Sequence, residues 1–231
     1  MPSLYLIRHG QAGSRDDYDL LSGLGKQQAT ALGRYLRGLN VRFNAAYSGD
    51  LVRQRETARH VLGELDTAPD VSIDPRWNEF DLAGLWKSIA PRLLEESETF
   101  QRNYELFHRD NAAAERVITT CDVELIQAWM KNHYACDGLE PWTDFRKRVL
   151  EPVSDLSLHP DNSTVAVFTS ATPIGIWAAE SLGLEEQRTF RVVAVLLNSS
   201  YSRFALKGQQ FTLLSLNNTG HLPEPHLNTY R

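Results

Sequence analysis

The amino-acid sequence predicts an α/β protein with a mostly parallel β-sheet flanked by helices. Short apolar runs typical of buried strands alternate along the chain with amphipathic stretches at helical spacing, which is the pattern of parallel α/β sheets. The chain has 231 residues, of which 42% are hydrophobic and 23% charged, a composition typical of globular proteins. No repeat, low-complexity tract or Pro/Gly linker interrupts it, so we expect one domain over residues 1–231.

The first quarter of the chain predicts two strands, each followed by a helix. Leu4–Ile7 is a short apolar run typical of a buried strand. Residues 23–37 carry apolar side chains at helical spacing with polar residues between them. Ala45–Ser48 indicates a brief second strand. A helix is then expected over about residues 50–65, with Asp50 as its candidate N-cap.

The middle of the chain predicts helices without a recognisable motif. Residues 85–131 are rich in Glu, Arg, Leu and Ala and contain few turn signals, which favours two or three helices. We interpret about residues 85–142 as a helical insertion over one end of the sheet, where lids often lie. Another amphipathic helix is expected over residues 142–156.

The last third returns to alternating strands and helices. Thr164–Phe168 is β-branched and apolar, so it predicts a strand. A helix is expected over residues 173–182, ending at Gly183, with Thr172 as N-cap and Pro173 at its first position. Three further apolar runs predict an antiparallel finish, namely residues 192–197, 201–206 and 211–216.

Charge and cysteine content restrict the classes of partner. The net charge is −5 and no run of Lys or Arg is present, so nucleic acid and anionic membranes are not expected as partners. A small anionic substrate stays compatible, because a few local arginines outweigh the global sign. Cys121 and Cys136 are expected to be free thiols. The N-terminus lacks the apolar core of a signal peptide or membrane span, so a cytoplasmic protein is expected.

Polar residues follow two of the predicted strands at the point where each ends. Arg8–Gly10 follows the first strand and Thr169–Ala171 follows the strand ending at Phe168. Because ligands of parallel sheets bind beyond the carboxyl ends of the strands, we expect both segments in one pocket. Arg8 offers a planar fork that matches phosphate or carboxylate oxygens, and His9 offers a nucleophilic nitrogen near neutral pH.

Two further segments carry candidate binding or acid residues. Arg53 lies in the expected first turn of a helix, where a basic residue opposes the dipole and so indicates an anionic ligand. Glu79 and Asp81 lie among aromatic residues, and apolar surroundings raise the pKa of a carboxyl toward that of a general acid. The residues alone do not choose between the two carboxyls, and a solvated surface loop is the alternative.

Taken in order, these segments resemble the histidine phosphatase superfamily, the phosphoglycerate mutase-like proteins. The resemblance implies a three-layer α/β fold and covers most of the chain, whereas about residues 85–142 match least. The segments that carry it are residues 4–11, 20–29, 48–58, 78–81 and 216–222.

The resemblance implies a role for each candidate residue. His9 would be the nucleophile that becomes phosphohistidine, Arg8 and Arg53 would hold the phosphoryl oxygens, and Glu79 would give a proton to the leaving oxygen. Phosphoryl transfer depends mainly on positioning and charge stabilisation, which two arginines supply without a metal. No cluster with metal-ligand spacing is found, so neither a metal nor another cofactor is expected.

The chain departs from the family where Ser-His-Gly is usual and Thr169-Ser170-Ala171 stands instead. Ser170 and Ala171 are therefore candidate phosphate-binding residues, with a hydroxyl in place of a histidine. A hydroxyl donates one hydrogen bond but brings no positive charge, so weaker transition-state stabilisation or a different substrate is expected. His221 is a candidate substitute cation, although ordering of the C-terminal loop is the favoured interpretation.

The sequence thus predicts a metal-independent phosphohydrolase of the histidine acid phosphatase type, acting on a small phosphomonoester. A catalytically weak phosphate-binding or regulatory module is the first alternative, because of Ser170. A phosphoglycerate mutase is the second, and it is less favoured because a mutase needs a firmly held phosphoenzyme. The oligomeric state and the identity of the substrate stay open.

Overall fold

The computed structural model describes residues 1–14, 17–109, 120–134 and 138–230. These residues form two compact units, of which the first comprises Met1–Glu79 with Arg148–Arg231 and the second comprises Phe80–Lys147. The second unit is continuous in sequence and contains the stretch interpreted as an insertion. The expectation of a single domain stays a prediction.

A mixed β-sheet forms the centre of the first unit. Its strands, in chain order, are β1 (Ser3–Arg8), β2 (Ala45–Ser48), β3 (Val71–Ile73), β4 (Thr164–Thr169), β5 (Tyr201–Lys207) and β6 (Gln210–Asn218). Their order across the sheet is β3-β2-β4-β1-β5-β6. The pairs among β1 to β4 are parallel, whereas β5 and β6 join antiparallel at one edge. The predicted mostly parallel sheet and its antiparallel finish are confirmed.

Helices connect these strands or lie between them in the chain. In chain order they are α1 (Gly23–Gly38), α2 (Val52–Leu62), α3 (Leu82–Glu96), α4 (Glu98–Arg109), α5 (Thr120–Met130), α6 (Trp142–Leu150), α7 (Val153–Leu156), α8 (Ala171–Ser181) and α9 (Thr189–Val193).

The sheet of the first unit is covered by helices on both faces. Alternate residues of β1, such as Tyr5 and Ile7, share a core with the apolar stripes of α1 and α2. On the opposite face, α8 contacts β1 and β6, and its Trp177 packs against the rings of Phe204 and Phe211. Two-sided burial explains why β1 and β4 are apolar throughout rather than alternating.

The register of the two central strands determines where the candidate residues lie. β1 and β4 pair in parallel from Ser3 opposite Thr164 to Arg8 opposite Thr169. The residues that follow, His9 and Ser170, therefore leave the sheet at neighbouring positions on its carboxyl edge.

The loop after β1 packs directly against the start of α1. Ser22 caps this helix by accepting a hydrogen bond from the backbone N–H of Gly25 at 3.0 Å, and its hydroxyl donates to the Gln11 side chain at 2.7 Å. A side chain on Gly10 would overlap the backbone of Gly25. Glycine is thus required after His9 because two backbones meet there.

Some sequence predictions are wrong in type or boundary. Residues 192–197 do not form a strand, because α9 occupies Thr189–Val193 and turns follow it. The buried positions Val192, Val193 and Leu196 have helical spacing, and a short apolar run fits either structure. The helix expected over residues 142–156 is divided into α6 and α7, with Pro152 as the N-cap of α7.

The second unit is helical in its described part, as the sequence predicts. Its α3, α4 and α5 pack against one another. Phe80, Trp129 and Phe145 form an aromatic cluster with ring centroids 4.9–5.8 Å apart. Cys121 is a buried free thiol, as expected, whereas Cys136 falls outside the described residues.

Candidate active site

His9 lies at the carboxyl end of β1 with its ring buried and its tautomer set by the backbone. The side chain is 2% exposed, and the backbone N–H donates to the carbonyl of Thr169 at 2.9 Å. Nδ1 lies 2.7 Å from the carbonyl oxygen of Gly10. Because a carbonyl only accepts, Nδ1 carries the proton and Nε2 keeps its lone pair.

Arg53 meets the free nitrogen of His9. It is the second residue of α2 and is 6% exposed. Its Nε donates to His9 Nε2 at 3.3 Å. Its backbone is linked to the loop after β1, because Gly10 N–H donates to the Thr57 hydroxyl, which in turn donates to the Arg53 carbonyl at 2.7 Å. The basic residue in the first turn of α2 therefore points at the candidate nucleophile.

Burial and two positive charges keep the His9 ring neutral. Burial lowers the pKa of His9 well below its ordinary value, and the charges of Arg53 and Arg8 lower it further. A neutral imidazole at neutral pH is the form that acts as a nucleophile.

Arg8 is buried beside His9, but its terminal nitrogens are already bonded. One donates to the carbonyl of Leu196 and the other to the carbonyl of Tyr230 at 2.6 Å. Among the described residues its Nε has no hydrogen-bond partner. Burial lowers the pKa of Arg8, whereas the nearby Tyr18 and Glu79 raise it. Arg8 thus contributes a fixed charge and one unused N–H.

The structure distinguishes the two carboxyls that the sequence left open. Glu79 accepts a hydrogen bond from the backbone N–H of Thr172 at 3.1 Å, in the first turn of α8. Asp81 belongs to the second unit and caps α3, accepting from Gly84 N–H at 2.9 Å. Glu79 therefore lies at the carboxyl edge of β4, whereas the cap of a helix accounts for Asp81.

Ser170 and Ala171 form the start of α8. Ser170, not Thr172, is the N-cap of this helix, and Ala171 is its first residue. The prediction of Thr172 as N-cap is wrong because Pro173 fits the first turn, where amides lack intrahelical partners. Ser170 is 1% exposed, and its Oγ accepts from Gln54 Nε2 at 2.9 Å.

Asp19 is a charged neighbour of Arg53 that sequence reasoning missed. Its carboxylate accepts from Arg53 at 2.9 Å and from the backbone N–H of Val52 at 3.2 Å. It therefore caps α2 in place of Asp50, whose candidacy is wrong. The Tyr18 ring lies 5.0 Å from the Arg53 guanidinium carbon. Because Asp19 lies 34 residues from Arg53 in sequence, no local pattern indicates the pair.

Gln54 was also missed, although the sequence contains a signal for it. Residues 54, 57, 58 and 61 share the buried face of α2. A glutamine on a face that is otherwise turned toward the core requires hydrogen-bond partners there, and its partners are Ser170 and the carbonyl of Trp77.

His221 supports the backbone around His9. It is buried, and its Nε2 lies 3.2 Å from the Ser199 hydroxyl. Ser199 adopts a left-handed φ of 61° and its N–H donates to the His9 carbonyl at 3.1 Å. Burial lowers the pKa of His221 to about 4. A neutral ring supplies no positive charge near pH 7, which favours its interpretation as a loop-ordering residue.

Comparison with known proteins identifies the family. The family model described as "Histidine phosphatase superfamily (branch 1)" matches residues 4–219. The chain belongs to the histidine phosphatase superfamily. The resemblance noted in the sequence is thereby confirmed.

Curated relatives of the superfamily match over part of their length. The chain is similar to the mitochondrial serine/threonine-protein phosphatase Pgam5 of Caenorhabditis elegans, with 27% identity over 46% of this chain and 40% of the relative. It is also similar to a 2,3-bisphosphoglycerate-dependent phosphoglycerate mutase of Chelativorans sp., with 32% identity over 45% of this chain and 57% of the relative. The matched part is thus less than two thirds of either relative.

Solved structures of the superfamily share the fold over nearly the whole chain. Bacillus stearothermophilus YhfR aligns with a TM-score of 0.67 at 19% identity, covering 96% of this chain and 99% of that one. A phosphoserine phosphatase variant of Entamoeba histolytica in complex with phosphoserine aligns with a TM-score of 0.63 at 19% identity, covering 96% and 100%. The predicted phosphoglycerate mutase-like fold is confirmed.

Within residues 1–14, 17–109, 120–134 and 138–230, no group of three His, Cys, Asp or Glu side chains is arranged to hold a metal ion. In that same part of the chain, no helix combines the length and apolarity needed to cross a bilayer.

Proposed function

We propose that this protein hydrolyses a small phosphomonoester through a phosphohistidine intermediate on His9. The observation that carries the proposal is the contact between His9 Nε2 and Arg53 Nε at 3.3 Å. The lone pair of His9 Nε2 can attack an electrophilic phosphorus, and the adjacent Arg53 N–H can donate to one of its negatively charged oxygens. A phosphoryl oxygen would take over the arginine N–H as the nitrogen attacks.

The residues support a two-step transfer. In the first step, His9 Nε2 forms a bond to phosphorus, the bond to the ester oxygen breaks, and protonated Glu79 gives its proton to that oxygen. In the second step, water attacks phosphorus and gives a proton to the Glu79 carboxylate, and the P–N bond breaks. Inorganic phosphate leaves and His9 returns to its neutral form. Arg8 and Arg53 offset the negative charge throughout.

A phosphate-binding module with negligible turnover is the second candidate, and Ser170 is the observation that favours it. The serine supplies a hydrogen bond without charge, so a transition state with spread negative charge gains less from it than from a cation. Mutase activity is a third outcome, since a relative carries that name. We expect hydrolysis rather than transfer between two positions of one substrate.

The partner that we propose is a small phosphorylated molecule, and the compartment is the cytoplasm. One structural neighbour is described in complex with phosphoserine and another with 3-phosphoglyceric acid. These ligands illustrate the size class, and they do not identify the substrate. The proposal involves no metal, nucleic acid or membrane.

Hydrolysis of p-nitrophenyl phosphate in EDTA tests the proposal. We expect turnover by the unaltered chain, loss of turnover in His9→Ala, and acid-labile, alkali-stable phosphate on the unaltered chain after rapid quench. His60→Ala is the matched control, because that histidine lies in the last turn of α2, seven residues beyond Arg53. Turnover that survives His9→Ala would contradict the role of the nucleophile, and anion binding without turnover would favour the second candidate.

A further inference from the structure

Gln54 is a fully buried glutamine whose side-chain amide has a determined orientation. Its Nε2 lies 3.2 Å from the carbonyl oxygen of Trp77 and 2.9 Å from Ser170 Oγ. Because the Trp77 carbonyl only accepts, the amide end that faces it must be the nitrogen. Both N–H groups of the amide therefore point at oxygens, and Ser170 Oγ is the acceptor of one of them.

This orientation leaves the hydroxyl proton of Ser170 unused. A serine at an N-cap ordinarily accepts a hydrogen bond from the first turn of its helix, but Ser170 makes no such bond with α8. Within the described part of the chain, its hydroxyl accepts from Gln54 and donates to no acceptor. The Gln54 N–H occupies one of the two lone pairs of this buried hydroxyl, so the serine O–H cannot point at Gln54 and is left to donate to an oxygen that enters the remaining space.

The surroundings of the amide favour this arrangement at some cost in stability. Gln54 Oε1 is buried and unpaired among the described residues, which is destabilising and is typical of functional positions in native proteins. A side chain at position 49 would overlap that oxygen, so Gly49 provides the space for it. The amide is thus held by its two N–H bonds to Ser170 and Trp77, while its oxygen stays unpaired.

We propose that Gln54 is a positioning residue that turns the Ser170 hydroxyl into a fixed, uncharged hydrogen-bond donor for a phosphoryl oxygen. The inference rests on the proposed function for the location of the phosphoryl group on His9. His9 and Ser170 follow paired residues of β1 and β4, so the donor stands beside the nucleophile. Gln54 itself touches neither the phosphoryl group nor His9, and acts through Ser170.

A double-mutant cycle with orthovanadate as the probe tests the inference. The dissociation constant is measured for the unaltered chain, Gln54→Met, Ser170→Ala and the double variant. We expect Gln54→Met to weaken binding about tenfold when Ser170 is present, the effect of one lost hydrogen bond to an anion, and less than about twofold in the Ser170→Ala background. Equal weakening in both backgrounds would overturn the inference.

Two further variants separate positioning from folding. Gln28→Met removes another fully buried glutamine, which bonds the carbonyl of Leu227, and its effect is expected to be independent of Ser170. Gln54→Glu keeps the size of the side chain but lets a carboxylate accept the serine proton, so it should weaken vanadate binding more when Ser170 is present than in the Ser170→Ala background, where only charge repulsion acts. Thermal unfolding shows which variants are folded. If Gln54→Glu weakens vanadate binding equally with and without Ser170, the inference is also overturned.

The failure of this inference is distinguishable from failure of the proposed function. Turnover of p-nitrophenyl phosphate and its loss in His9→Ala test hydrolysis, whereas the vanadate cycle requires no turnover. Coupling without turnover would retain the role of Gln54 and overturn hydrolysis. Turnover that depends on His9, without coupling between Gln54 and Ser170 in the vanadate cycle, would overturn the role of Gln54 alone. If the unaltered chain does not bind vanadate, the role of Gln54 is likewise overturned.

Discussion

The ends of β1 and β4 share one backbone geometry and differ in chemistry. Both strands are buried and parallel, and they stay in register up to Arg8 and Thr169. Beyond that pair, β1 continues into a histidine flanked by two arginines, whereas β4 continues into a serine held by a glutamine. The positive charge of the site is therefore concentrated on the side of β1 and α2.

This difference shows that two neighbouring strand ends at one sheet edge can contribute unequally to the binding of an anion. The α8 N-terminus contributes N–H groups at the β4 end, and one of them, that of Thr172, is bonded by Glu79. A partial charge at a helix end is smaller than that of a guanidinium. We therefore expect loss of Arg53 on the β1 side to have a larger effect on anion chemistry than loss of Ser170 on the β4 side.

The largest expected effect comes from Arg53→Met. Loss of the guanidinium that meets His9 Nε2 removes a preorganised donor from the transition state, and kcat/KM should fall by roughly 10²–10³. Arg53→Lys should recover only part of the loss, because an ammonium lacks the planar fork. Steady-state kinetics with p-nitrophenyl phosphate measure both. A loss from Ser170→Ala as large as that from Arg53→Met would show that the β4 end contributes as much to transition-state stabilisation as the β1 end.

The pH dependence of stability tests whether His221, which supports the backbone around His9, is neutral in the folded protein. The pKa of His221 is about 4 in the folded chain, so below its ordinary value of about 6.5 the unfolded chain takes up the proton first. The stabilisation is complete above pH 6.5 and is lost as the pH falls toward 4. Between pH 7 and 4.5 this residue should account for about 2–3 kcal/mol.

His221→Gln should therefore flatten the dependence on the acid side. Urea unfolding at pH 7 and pH 4.5 measures the difference for both proteins, and the shifted pKa of His9, which acts in the same direction, is common to both. An identical loss of stability on acidification in the two proteins would show that His221 is not the buried neutral group described above.

A smaller effect is expected from Ser170→Ala. Loss of one uncharged hydrogen bond to a phosphoryl oxygen should lower kcat/KM by about tenfold. Ser170→Thr is the matched control, since it keeps a hydroxyl at the same position. If alanine and threonine behave alike, packing rather than the hydrogen bond explains the change.

The smallest effect is expected from Asp19, which accepts hydrogen bonds from two N–H donors near the end of β1. Its carboxylate, 46% exposed, accepts from Arg53 and from the first amide of α2. An incoming anion competes for the same groups, so Asp19→Asn should strengthen competitive inhibition by inorganic phosphate about threefold. Inhibition constants at two salt concentrations measure it. Weaker inhibition would mean that Asp19 positions Arg53 more than it competes with the ligand.

The sequence predicted the parts of the fold that periodicity determines. β1 and β4 are apolar because both faces are covered, and α1 has its stripe at helical spacing, so each was located to within one or two residues. The strand β3 was missed, since it has three residues of which Ser72 and Ile73 are exposed. The run over residues 192–197 was misassigned because six apolar residues fit a strand or a helix.

The candidate site was predictable where each residue lies at the end of an element. Arg8, His9 and Ser170 follow strands and Arg53 opens a helix, so topology brings them together. Asp19 was not predictable, because a loop residue meets its partner only through tertiary structure. The residues alone did not separate Glu79 from Asp81, because the distinction depends on the contact of Glu79 with the first turn of α8.

The two carbonyl contacts of Arg8 have a kinetic consequence. A long side chain ordinarily loses rotational freedom when it grips a ligand, but this guanidinium is tethered at both terminal nitrogens before any ligand arrives. The side chain is ordered when the protein folds, so the guanidinium is preorganised when an anion binds at this edge of the sheet. The rate of capture should then follow diffusion and ionic strength instead of a search among rotamers.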